Sequence, residues 1–124
     1  MIPVDGSEDS LQSIPAAAKF CRRLSGRLVF VHVRNPGAPE SEARDVLDAA
    51  RRRSQEEGLP TESILRDGDP ATEILGVSKE RQAALIAMRT RLSLHETRGP
   101  LGSVTVRVLR AARFPTLIVR KGAT

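Results

Sequence analysis

Five short apolar runs alternate with four longer amphipathic segments along the 124 residues, and that alternation confines the chain to a parallel α/β sheet. The runs are Ile2-Pro3-Val4 and residues 27–33, 61–66, 84–88 and 115–120. Parallel neighbours cannot be joined by a tight hairpin, so each intervening segment must be a helical crossover, and such crossovers are right-handed. The expectation is one domain over residues 1–124, a three-layer α/β sandwich around a five-stranded parallel sheet.

Local signals set the boundaries. Asp5-Gly6 is a turn, Ser7 an N-cap, and Glu8 and Asp9 suit a helix's first turn. The stripe Leu11, Ile14, Ala17, Ala18, Cys21 and Leu24 predicts one helix over 7–26, stopped by Gly26. Residues 27–33 are β-branched or aromatic at nearly every position, which fits a strand covered on both faces. A helix over 40–57 follows from Ala43, Val46, Leu47 and Ala50, with Gly58 as its stop. The third strand, 61–66, belongs near a sheet edge. Asp69 caps the next helix and Pro70 takes its first position, where a missing N–H costs nothing. A last helix runs over 102–112. The first strand starts almost at Met1 and is short for a central strand.

No apolar stretch approaches the ~20 residues that span a bilayer, and the start lacks a leader pattern, so a cytoplasmic location is expected. The single cysteine, Cys21, excludes an internal disulfide and falls on a buried stripe. A net charge of +5, carried by 17 Arg and 3 Lys, invites nucleic acid. Without Trp or Tyr there is little to stack bases, and Arg51-Arg52-Arg53 lies among acidic residues as a solvated face, so nucleic acid is not the expected partner. His32 lies inside a strand and is read as a core residue; His95 lies in a loop and is read as solvent-exposed.

Residues 88–105 carry the chemistry. A strand ending at Met88, a loop, and a helix opening with Gly102-Ser103 form a layout that seats an anion on helix N–H groups. Ser103 is either a phosphate contact or only a helix cap, and Asp5 either a ligand contact or a turn residue. Asp5, His32 and Ser103 supply the residue types of a hydrolytic triad, but no Gly-x-Ser-x-Gly elbow accompanies them. There is no Walker Gly-x4-Gly-Lys-Ser/Thr and no His spacing for a transition metal, so the chain is read as non-catalytic.

Together Pro3-Val4-Asp5-Gly6-Ser7-Glu8, Val31-His32-Val33, Gly68-Asp69-Pro70, Leu101-Gly102-Ser103-Val104, Val108-Leu109-Arg110 and Pro115-Thr-Leu-Ile-Val119 resemble the universal stress protein family over essentially the whole chain. The resemblance implies a Rossmann-like, adenine nucleotide alpha hydrolase-like sheet in the order 3-2-1-4-5, with a ligand site between the first and fourth strands. It implies that Asp5 holds adenine or ribose, Val33 packs on adenine, and Gly102 and Ser103 meet phosphate, with Val104 and Thr105 nearby. Pro3, Met88 and Arg89 complete the nucleotide-binding set, for ATP or another adenine nucleotide with or without Mg²⁺.

Binders in the family resemble Gly-x2-Gly-x9-Gly-Ser/Thr here. Counting back from Gly102, the first two glycines fall at Arg89 and Leu92, so the glycine loop is degenerate. Arg89, Arg91 and Arg98 offer charge to phosphate in exchange. Two readings stay open: a nucleotide-binding regulator of the stress response, or a dimeric interaction module that does not bind ATP. In both, the resemblance implies a homodimer through the last strand, 116–119, with Arg120 and Lys121 limiting further sheet growth.

Overall fold

Strand β2 (Leu28–Arg34) is the spine of the molecule, because its alternate residues feed two separate cores. In the computed structural model, which describes residues 1–89, 103–112 and 115–119, Leu28 and Phe30 pack against Ile14, Ala17 and Cys21 of helix α2 (Ser13–Arg23) and Leu47 and Ala50 of α3 (Glu40–Ser54). Val29 and Val31 turn the other way, against Val77 of α4 (Pro70–Glu80) and Ile64 of β3 (Thr61–Asp67). Burial on both faces is why the run is apolar at consecutive positions. Phe30 is fully buried, which contributes roughly 1.5–3 kcal/mol.

All strand pairing among the described residues is parallel. β2 pairs β3 along its full length, from Leu28↔Thr61 to Arg34↔Asp67, whereas β1 (Ile2–Pro3) meets it only at Phe30 and Val31. β4 (Ile86–Arg89) pairs β5 (Thr116–Val119) from Ile86↔Thr116 to Arg89↔Val119. Among the described residues these form two sheets, β1-β2-β3 and β4-β5, where the sequence led us to expect one of five strands. The seam is bridged at Met1, whose nitrogen donates to the Leu85 carbonyl at 2.7 Å and whose carbonyl accepts from Ala87 N–H at 2.9 Å. The shortness of β1 is the physical reason for the division: two residues cannot carry a ladder on both sides.

The first helix differs from its expected single span over 7–26. It divides into α1 (Glu8–Leu11) and α2, with Gln12 between them. Pro15 has no N–H to donate to the Leu11 carbonyl, and its ring crowds that oxygen, so the helix cannot run through. Elsewhere the punctuation acts as read: Asp69 caps α4 by accepting from Thr72 N–H at 3.0 Å, with Pro70 at the start. A 3₁₀ turn over Gln55–Glu57 ends at Gly58, φ 66°. Helix α5 (Ser103–Ala111) buries Val108 against Met88 and Ile74.

Candidate functional site

Where β1 ends, the chain turns sharply through Asp5 and Gly6. The Asp5 carboxylate accepts from Ser7 N–H at 2.9 Å and from the Ser7 hydroxyl, while Ser7 Oγ caps α1 by accepting from Ser10 N–H at 3.1 Å. Ser10 Oγ closes the knot by donating to the Ser7 carbonyl at 2.9 Å. Gly6 has φ +91°, a backbone shape that favours glycine, and a Cβ there would press on Val46 Cγ2 of α3 at 3.2 Å. Asp5 is therefore a turn residue in this structure, and its carboxylate lies on the exposed surface. Sequence reasoning missed Ser10; the Ser7-x-x-Ser10 spacing on a first helical turn was its signal.

His32, in β2, is buried, and its Nδ1 lies 2.8 Å from the Val4 carbonyl. A carbonyl only accepts, so the proton sits on Nδ1 and the ring is a structural tie. The tie fixes the backbone just before Asp5. Pro3 pairs with Val31, and Val4 N–H donates to the Val31 carbonyl at 2.8 Å, so Asp5 emerges at the carboxyl end of β2.

The apolar part of the expected set gathers in one place. Met88 is buried in a cluster with Ile74, Ile86 and Val108, and half-buried Val33 and Val104 pack against it. Thr105, on the first turn of α5, is buried. Ser103 is the first residue of that helix and Arg89 the last of β4. Gly102, Leu92 and the Arg89 side chain lie outside the described residues, as do Arg91, His95 and Arg98.

Two ion pairs flank this edge, and neither partner relation was legible beforehand. Arg34 grips Asp67 across the ends of β2 and β3, with Nε and Nη2 at 2.7 and 2.9 Å. Arg107 of α5 grips the α4 cap Asp69 at 2.8 and 2.7 Å, tying the two helices together. The hydrogen bonds from Arg107, then those from Thr72, hold the Asp69 carboxyl well below the usual carboxylate range. The hydrogen bonds to Asp69, and then its charge, raise the pKa of the Arg107 guanidinium.

The chain matches the Universal stress protein family over residues 1–120. It is 27% identical to universal stress protein YxiE of Bacillus subtilis, an alignment that covers 97% of each chain. A universal stress protein solved in complex with cAMP superposes with TM-score 0.82 at 25% identity, covering 96% of this chain and 93% of that one. The universal stress protein from Archaeoglobus fulgidus in complex with dAMP shares the fold, with TM-score 0.79 at 23% identity and coverage of 95% and 98%.

Proposed function

Because the chain belongs to the universal stress protein family, we propose that it is a non-catalytic, adenine-nucleotide-binding regulator of a stress response, built as one cytoplasmic domain over residues 1–124. The observation that carries this reading is the meeting of Val33, Met88 and Val104 in one apolar cluster at the carboxyl ends of β2 and β4. The likeness to a relative solved with cAMP supports the ligand class. Adenine packs on Val33 with Met88 beneath it, and Asp5 accepts from the adenine amino group or a ribose hydroxyl. Gly102, Ser103 and the N–H groups of Val104 and Thr105 take the phosphates at the α5 N-terminus, where the helix dipole favours an anion. Pro3 and Arg89 border the site. ATP brings Mg²⁺ to its own phosphates, and AMP binds without it.

Isothermal titration with ATP and with AMP tests the reading. Binding is expected, at least about tenfold weaker in Asp5→Ala, the size of one lost charge-assisted hydrogen bond. A second reading has its own support: β5 pairs only β4 among the described residues, which makes it an edge strand of the kind a second copy can extend. Here the chain is a homodimeric interaction module that does not bind ATP, with Arg89 and Leu92 standing where the family pattern has glycines. No heat at millimolar ATP, in a protein that sediments as a dimer, would replace the first reading with the second.

A further inference from the structure

The main-chain ladder between β1 and β2 stops just before the turn that carries Asp5. Its register covers Ile2↔Phe30 and Pro3↔Val31, and Val4 N–H adds one bond, to the Val31 carbonyl at 2.8 Å. In a parallel strand, residues two apart turn their N–H and C=O to the same flank. Val33 therefore aims its N–H along the flank where β1 departs, and the Val4 carbonyl is the acceptor that a further rung would use. A side chain holds that carbonyl instead: Nδ1–H of buried His32 donates to it at 2.8 Å.

Exchanging a main-chain donor for a side-chain one has two consequences at the carboxyl ends of the strands. The end of β1 is fixed without spending the N–H of Val33, a residue that packs into the cluster of Met88 and Val104. The Asp5 turn is also gripped from both sides. Ahead of it the contacts are local: Asp5 N–H donates to Ser10 Oγ at 3.4 Å, and the Asp5 carboxylate accepts from Ser7 N–H at 2.9 Å. Behind it, the His32 bond reaches across 28 residues and refers the turn to β2.

We propose, resting on the nucleotide reading above, that His32 is the positioning residue of that site. Its ring sets where the Asp5 carboxylate stands at the end of β1, and it keeps the Val33 N–H open to an acceptor on the ligand. Holding the turn in place before the ligand arrives removes an ordering cost from binding. A histidine that only packed would contribute to stability and leave affinity alone. A positioning histidine acts through Asp5, so the effects of the two residues are coupled and not additive.

The test uses the full chain and AMP. Without ligand, Val33 N–H is expected to exchange at least about tenfold faster than Val31 N–H, and to slow about tenfold on saturation. In isothermal titration, His32→Leu is expected to bind AMP about tenfold more weakly. His32→Asn, whose Nδ2 stands as many bonds from the backbone as Nδ1 of histidine, is expected to bind within about threefold of the parent chain. In an Asp5→Ala background, His32→Leu is expected to change affinity by less than about twofold. Leu28→Ala, a core truncation at the other end of β2, is expected to lower the melting temperature and leave affinity unchanged. A Val33 amide as protected as Val31 without ligand would overturn the proposal. Equal AMP affinity in the parent chain and His32→Leu would overturn it while leaving the nucleotide reading intact. A loss that His32→Asn fails to restore, that Leu28→Ala matches, or that adds fully to Asp5→Ala would reduce His32 to a structural residue. A folded parent chain that binds no AMP at millimolar concentration would overturn the nucleotide reading and the proposal with it.

Discussion

His32 donates to the Val4 carbonyl at 2.8 Å, and this one bond completes a strand that pairs with its neighbour at only two positions. Replacing it by leucine keeps the volume and strands a buried acceptor, which should cost about 1–3 kcal/mol in urea unfolding. Asp69 makes the opposite kind of contribution, at the surface. Its folded carboxyl sits below the ordinary carboxylate value, so its stabilisation is fully present above about pH 3.9 and is lost as pH falls through the folded value. Asp69→Asn should therefore melt a few degrees lower than the parent chain at pH 7, and the gap should narrow below pH 4. A gap independent of pH would mean that the Arg107 pair contributes nothing. Neither role was fully legible in the sequence. Asp69 announced itself as a cap through the adjoining Pro70, but Arg107 lies 38 residues away with no local pattern to link them.

At the scale of elements, periodicity and punctuation located β2, β3, α3 and α4 closely, because two-sided burial writes itself into β2 and capping residues mark where helices open. What escaped was the break between α1 and α2: the apolar stripe runs straight through it, and only Pro15, lacking an N–H, records it. The β1/β4 seam escaped too, since register is set by tertiary contact and not by the composition of Ile2 and Pro3. The candidate site was half legible. Val33, Met88 and Val104 do gather, whereas Leu92 and the Arg89 side chain, where the family pattern places glycines, lie outside the described residues. A glycine has no Cβ to hold phosphate away from the backbone, so Arg89→Gly with Leu92→Gly should tighten ATP about tenfold in isothermal titration. Unchanged affinity would mean that neither side chain hinders the phosphate.

For the molecule as a whole, the two ends of the sheet have different chemistry. The carboxyl ends bring together an apolar cluster, the Asp5 turn and a helix N-terminus; the amino ends hold a cavity of about 560 Å³ lined by Phe20, Leu24 and Leu85. A ligand at the carboxyl ends stabilises the folded state by mass action, by about 2.7 kcal/mol at a hundredfold excess over Kd. The central claim concerns the carboxyl ends, and thermal unfolding with and without millimolar ATP and Mg²⁺, in the parent chain and in Asp5→Ala, tests it most directly. The account predicts a rise of several degrees in the parent chain that is largely lost in the variant. A midpoint that ATP does not move in the folded parent chain, or moves equally in both, would contradict it.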